Sequence, residues 1–336
     1  MNPPINPHQL PKIDLHHHFD GAFVIEDLYA EAQRRTLPQG RLTADEFRAR
    51  CQVKPECRSL TEFLAVFDFF YDIAQDLQFL NAQAAQLPKR MAETGVIYLE
   101  TRFAPHLFTG SRFSAAEVTE SVVAGLEQSS AVPVRLIICA MRNAPLAHVQ
   151  ELVDLYHRFQ ARGVCGIDLA GDESRFACRE YAPAFDRARE AKIPITIHAG
   201  EATGPQSVID ALDLFHARRI GHGIRSIDDA ALVERLAAEK ITLEVCLTSN
   251  LQTGNAPDYQ QHPFLRLMRA GVPVTINTDD PTVSGIDLTY EWQKAIDEYQ
   301  FDAAACQRVL ANAINGAFCS ETLKKDLEAK IAAFFG

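Results

Sequence analysis

Short apolar runs recur along the chain, and each is followed by a stretch of helical spacing. The runs cover Pro11–His18, Val96–Phe103, Val134–Met141, Gly166–Ala170, Pro194–His198, Arg219–His222, Ile241–Leu247 and Pro273–Thr278. Several are rich in Val and Ile, and none alternates apolar with polar over its whole length. That pattern fits strands buried on both faces of a parallel sheet. Between the runs, helical periodicity predicts helices over Ala147–Ala161, Ala177–Ala191, Ser207–Ala217 and Asp228–Glu239. Eight strands alternating with helices predict an α/β fold, a (β/α)8 TIM barrel. The stretch Glu26–Glu93 is too long for one crossover helix. It is expected to be a helical insertion after strand 1, where a lid could form. A doubly wound open sheet is the alternative, but no Gly-x-Gly-x-x-Gly follows the first strand.

Polar residues punctuate the ends of these runs. His16 and His18 end the first, Arg102 stands near the end of the second, and Asp168 lies in the fourth. His198 ends the fifth, His222 ends the sixth, and Asp279 follows the eighth. In a (β/α)8 barrel the C-terminal strand ends carry the chemistry. One polar residue there is ordinary; the same placement on run after run is not explained by core filling.

Composition narrows the picture. A chain of 336 residues suits one barrel with insertions. No repeat, low-complexity tract or Pro/Gly/Ser linker divides it, so a single domain is expected over residues 1–336. Hydrophobic residues make up 47% and charged residues 23%, which fits a globular chain with a large core. The balance of 33 basic and 44 acidic residues gives −11. A nucleic-acid or anionic-membrane partner is therefore not expected, because each needs a basic surface; a neutral nucleoside is compatible. No run of about 18 apolar residues is present, so no membrane span is expected. Met1-Asn2-Pro3-Pro4 lacks the basic and apolar regions of a signal peptide. Eight cysteines, scattered from Cys51 to Cys319 without a CxxC pair, read as reduced thiols of a cytoplasmic protein. The oligomeric state is left open.

Four motifs carry candidate chemistry. In Asp14-Leu15-His16-His17-His18, strand alternation points His16 and His18 to one face and His17 to the other. The pair can hold one metal or simply be polar residues at a strand end; His17 is read as structural. In His198-Ala199-Gly200-Glu201, a strand-ending His can be a further ligand. The small turn after it can return Glu201 to the same pocket as a proton-transfer group. The bland alternative is a buried His beside a helix-starting Glu. In Gly221-His222-Gly223, the glycines allow close backbone approach to a ligand. In Asn277-Thr278-Asp279-Asp280-Pro281, one carboxylate can bind a metal and the other a substrate, or the segment is a capped turn. Each motif alone is ambiguous. Together, three His and one Asp form a nitrogen and oxygen set suited to zinc with a water completing the shell. A Glu and a further His remain for proton transfer. The Cys-based P-C-x-x-C deaminase pattern and H-E-x-x-H are both absent.

With these motifs in order, the sequence resembles the adenosine deaminase family of the amidohydrolase superfamily. The likeness runs through DLHHHFDG at Asp14–Gly21, SLTEFLAVF at Ser59–Phe67, YLETRFAPHL at Tyr98–Leu107 and GIDLAGDE at Gly166–Glu173. It continues through HAGE at His198–Glu201, GHG at Gly221–Gly223 and NTDDP at Asn277–Pro281. CLTSNLQTG at Cys246–Gly254 is similar to bacterial members in particular. The resemblance implies one zinc ion per chain, held by His16, His18, His198 and Asp279. It implies Glu201 as the group that protonates ring N1, and His222 as the group that orients and deprotonates the zinc-bound water. Asp280 would hydrogen-bond N7, the Gly171 backbone N–H would meet N3, and Asp20 would contact the ribose 5′-hydroxyl. Leu60, Phe63, Leu64 and Phe67 match an apolar flap over the sugar end. The implied reaction is deamination of adenosine and 2′-deoxyadenosine.

Other readings stay open at this point. Adenine deaminase, or a deaminase of a modified adenosine such as aminodeoxyfutalosine, would use the same barrel. Adenine deaminases of the superfamily tend to carry Glu where this chain has Asp20, whose shorter side chain leaves room for a ribose. A two-metal hydrolase usually adds a lysine at the end of strand 4, where this chain reads Gly166-Ile167-Asp168-Leu169-Ala170. A barrel that only binds nucleosides would not need both Glu201 and His222. Asp20 itself could be a helix cap.

Overall fold

The apolar runs become parallel strands in the computed structural model, which describes residues 5–336; residues 1–4, read above for a signal peptide, lie outside them. The strands among the described residues are β1 (Lys12–His18), β2 (Val96–Phe103), β3 (Val134–Met141), β4 (Val164–Ala170), β5 (Thr196–Ala199), β6 (Arg219–His222), β7 (Thr242–Val245) and β8 (Val274–Ile276). They pair in order as β1-β2-β3-β4 and β5-β6-β7-β8. Two isolated parallel bridges, Ile167 with Ile195 and His17 with Asp279, join the halves into a ring. At the second seam the Asp279 N–H donates to the His16 carbonyl at 2.8 Å and the His18 N–H to the Asp279 carbonyl at 2.7 Å. The expected (β/α)8 TIM barrel is the observed architecture.

Strand bounds follow what lies beside the strands. β2, β3 and β6 match their apolar runs end to end. β7 and β8 are shorter than theirs: the first run continues past the strand through the buried Cys246 and Leu247, the second through the buried polar Asn277 and Thr278. The predicted Ala177–Ala191 helix is in fact a 3-10 segment, Cys178–Phe185, followed by a short α-helix, Asp186–Glu190. Pro183 lies inside it and offers no N–H to an α-helical ladder. The stretch after β1 holds several helical pieces, among them Ile25–Arg34, Ala44–Arg50, Leu60–Leu64 and Tyr71–Ala74. Its last helix, Leu77–Glu93, is the crossover to β2 and is capped by Asp76, which accepts from the Gln78 and Phe79 N–H groups. The insertion proper therefore ends before residue 77. No helix among the described residues is long and apolar enough to cross a membrane. All eight cysteines are free, and seven are buried.

Candidate active site

The site is built at the C-terminal ends of the strands. On β1, His16 and His18 turn inward and His17 turns away, its Nδ1 3.0 Å from Thr101 Oγ1 on β2. His198 lies on β5 and His222 ends β6. Asp279 follows β8. Both His222 and Asp279 adopt left-handed backbone angles, with φ of 59° and 62°. Non-glycine residues rarely take that conformation, and it persists where surrounding contacts over-determine it. Gly221 serves a neighbour: a Cβ there would stand 3.0 Å from His16 Cε1, so the glycine makes room for the imidazole.

Four donor atoms converge. His16 Nε2 and His18 Nε2 lie 3.1 and 3.3 Å from Asp279 Oδ1, and His18 Nε2 lies 3.2 Å from His198 Nε2. Burial, opposed by the Asp279 charge, holds His18 well below the ordinary imidazole range, and burial also lowers His198. His16 and His198 turn Nδ1 to Glu244 and Asp168, so their Nε2 lone pairs crowd His18 Nε2 and Asp279 Oδ1 with too few protons to pair them all, and the buried His16 Nε2 makes no aligned hydrogen bond. A cation between them resolves the conflict. Donors about 2.0–2.1 Å from a tetrahedral zinc stand roughly 3.3 Å from one another, which is the spacing seen. The side chains of His16, His18, His198 and Asp279 therefore fit a metal ion. Cys246 also approaches Asp279 and His222, but burial pushes its thiol up, and the thiolate is the ligand form.

Around these donors lies a shell of partners, of which the sequence reading had noted Arg102 and Asp168 at strand ends without a role. His16 Nδ1 is 2.8 Å from Glu244 Oε2, and His198 Nδ1 is 2.9 Å from Asp168 Oδ2. Such partners fix the tautomer of a ligating histidine and leave Nε2 for the metal. Arg102 donates to both Asp168 (2.9 Å) and Glu244 (2.7 Å). Ser249 Oγ donates to Asp279 Oδ2 at 2.7 Å. The turn that carries Glu201 is pinned by Glu173, which accepts from the N–H groups of Gly200, Glu201, Ala202 and Thr203. Glu244 could have been noticed as a lone carboxylate inside an apolar run. Asn250 lies in the quoted CLTSNLQTG segment, where it had no role assigned, and nothing in the sequence marked His262.

The remaining candidates line one cavity with the metal donors. Its walls include Asp20, Gly171, Glu201, His222 and Asp280, and the apolar Leu60, Phe63, Leu64 and Phe67. Glu201 Oε1 accepts from Thr253 Oγ1 at 3.0 Å and from Asn250 Nδ2 at 3.3 Å, while Oε2 lies 3.7 Å from His222 Nε2. Burial, then the charges of Asp279 and Glu173, raise Glu201 from 4.5 to about 8. Burial and the neighbouring carboxylates Asp279, Asp20 and Glu201 push Asp280 well above the ordinary range. Asp20 is raised to about 7, chiefly by burial. One oxygen each of Asp20 and Asp280 is buried without a partner. Asp20 caps no helix: the helix Ile25–Arg34 begins after Val24, without a side-chain cap. The sequence motifs thus meet in one pocket, and β4 carries no lysine.

The sequence model of the family described as adenosine deaminase matches residues 11–334. A curated adenosine deaminase of Enterococcus faecalis is 38% identical over 329 residues, covering 96% of each chain. Among solved structures, an adenine deaminase from Arthrobacter aurescens superposes with a TM-score of 0.89 at 26% identity, covering 97% of this chain and 99% of its own. An amidohydrolase from Burkholderia ambifaria with bound Zn has a TM-score of 0.87 at 25% identity, covering 98% of this chain and 91% of its own.

Proposed function

The chain belongs to the adenosine deaminase family, and from that premise we propose that it hydrolyses adenosine and 2′-deoxyadenosine to the inosine product and ammonia, using one zinc ion per chain. One observation carries the reading: four metal-donor atoms at 3.1–3.3 Å spacing share a wall with a carboxyl group that stays protonated at neutral pH.

Zinc held by His16, His18, His198 and Asp279 would supply a nucleophile from water at neutral pH. Glu201 presents Oε2 to the cavity, because Oε1 is engaged by Thr253 and Asn250. Its proton goes to ring N1, which makes the amine-bearing carbon electrophilic. His222 orients the attacking water. Asp280, held as a carboxylic acid by burial and by the carboxylates around it, donates to N7. The Gly171 N–H meets N3, and the unpartnered Asp20 oxygen accepts from the 5′-hydroxyl. The flap residues Leu60, Phe63, Leu64 and Phe67 cover the sugar end and exclude water.

A second reading, adenine deaminase, is favoured by the likeness to the Arthrobacter aurescens enzyme. Loss of absorbance at 265 nm with adenosine, 2′-deoxyadenosine and adenine side by side separates the two. The proposal expects both nucleosides to be consumed much faster than adenine; faster turnover of adenine would replace it.

A further inference from the structure

A chain of hydrogen bonds enters the site from behind, and its direction is fixed at the start. The Phe264 backbone N–H donates to His262 Nδ1 at 3.0 Å. A backbone N–H can only donate, so Nδ1 of His262 is an acceptor and the ring is neutral with its proton on Nε2. That nitrogen lies 3.2 Å from Asn250 Oδ1, so His262 donates to the amide oxygen. The amide orientation, which atom positions alone do not determine, is thereby set: Nδ2 faces the site. From Nδ2 the distance to His222 Nδ1 is 3.1 Å, and to Glu201 Oε1 3.3 Å. Both are donations from the amide.

We propose that His262 and Asn250 are positioning residues that fix His222 as the Nε2–H tautomer, so that His222 holds the attacking water by donating to its oxygen; one water proton goes instead to the Glu201 carboxylate left once N1 has been protonated, and the other leaves with the amine as ammonia. A ring whose Nδ1 accepts must carry its proton on Nε2, and Nε2 is the atom that faces Glu201 and the cavity. All three side chains are buried, at 0–2% exposure, so water does not compete with the relay. Burial also lowers His262 to about 3, in keeping with a neutral ring at the head of the relay. The inference deepens the proposed mechanism and departs from the resemblance on one point, the removal of the water proton.

Imidazole 15N spectra of the zinc-loaded enzyme test it, whatever the substrate is. Protons on Nε2 of both His262 and His222 are expected; a His222 proton on Nδ1, or on both nitrogens, overturns it. Asn250→Asp places an acceptor at Nδ1 and should move the His222 proton there. With zinc retained and KM within a few-fold, kcat should fall on the order of 10²-fold, the scale of a misplaced catalytic contact. An unchanged or higher kcat with the tautomer switched would show that His222 works as a base. His262→Gln keeps an N–H toward the Asn250 oxygen and should stay within a few-fold of the parent; a fall as deep as that of Asn250→Asp would also overturn the relay. If Asn250→Asp does not fold, the parent spectra still decide the tautomer.

Discussion

At Glu201 burial decides the protonation state, and the sign of the pH dependence follows. Burial, with the charges of Asp279 and Glu173, raises the carboxyl from 4.5 to about 8; a zinc ion on Asp279 would offset that charge and leave burial as the main cause. The acid form dominates below the raised pKa, so kcat should decline as pH rises through it, at about 8 or, with the Asp279 charge offset by zinc, below that. The same shift contributes stability that is complete below pH 4.5 and lost as pH rises through 8. Glu201→Gln should keep its metal and lose ~10²–10⁴-fold in kcat. A variant within tenfold of the parent would mean that another group protonates N1. Asp20 sets a second prediction. Its unpartnered oxygen is left without a donor by ligands that lack a 5′-hydroxyl. Above pH 7, where the Asp20 carboxyl, raised to about 7, is ionised, a hydrogen bond to the charged group is worth ~1.5–3 kcal/mol, so kcat/KM for adenosine should exceed that for 5′-deoxyadenosine by roughly 10–150-fold. Asp20→Ala should erase the preference and leave zinc in place. Equal rates for the two nucleosides with the parent enzyme would assign the oxygen another task.

At the scale of the elements, sequence patterning located the strands better than the chemistry between them. β2 and β3 were legible because runs of 8 residues carry Val and Ile, and β6, of only 4 residues, because it ends at His222 between two glycines. The ligands were legible because they sit at those ends. The partners were not: Glu244 is 228 residues from His16 and 142 from Arg102, and only barrel closure brings them together. Asn250, on the helix Leu247–Gln252, and His262, in the loop after it, likewise gain their meaning from His222 at the end of β6. Below the metal donors the barrel interior holds an ionic layer rather than an apolar one. Glu100 and Arg102 come from β2, Asp168 from β4, Arg219 from β6 and Glu244 from β7, with Arg219 2.7 Å from Glu100 and 2.6 Å from Glu244. Burial disfavours the Glu244 carboxylate, but Arg102, Arg219 and His16 outweigh it and hold the group well below the ordinary range. Its contribution to stability is thus present at neutral pH and lost only in strong acid. Glu244→Gln would leave buried guanidinium charge short of a partner, at a cost of about 3–5 kcal/mol, together with a weaker hold on His16. Thermal melts should show the loss at pH 7; an unchanged melting temperature would mean that the layer reorganises around the amide.

For the molecule as a whole, the metal donors span the places where the barrel is least continuous. Along the strand ladder the two four-stranded halves meet through single bridges, one of them His17 with Asp279. His16 and His18 lie on one side of that seam and Asp279 on the other, while His198 reaches in from β5. An ion shared by these donors would tie β1 to both ends of the second half. Because an ion that binds the folded state alone stabilises it by RT ln(1 + [L]/Kd), about 4 kcal/mol is expected at a free concentration 1,000-fold above Kd. Without the ion, three imidazoles and a carboxylate are left crowded together, and His16 Nε2 keeps no aligned partner. Removal of metal by a chelator should lower the melting temperature by several degrees as well as abolish turnover, and one equivalent of zinc should restore both. Metal analysis of the dialysed protein should give one zinc per chain. A content near two, or a melting temperature indifferent to the chelator, would break the link drawn here between the metal and the closure of the barrel.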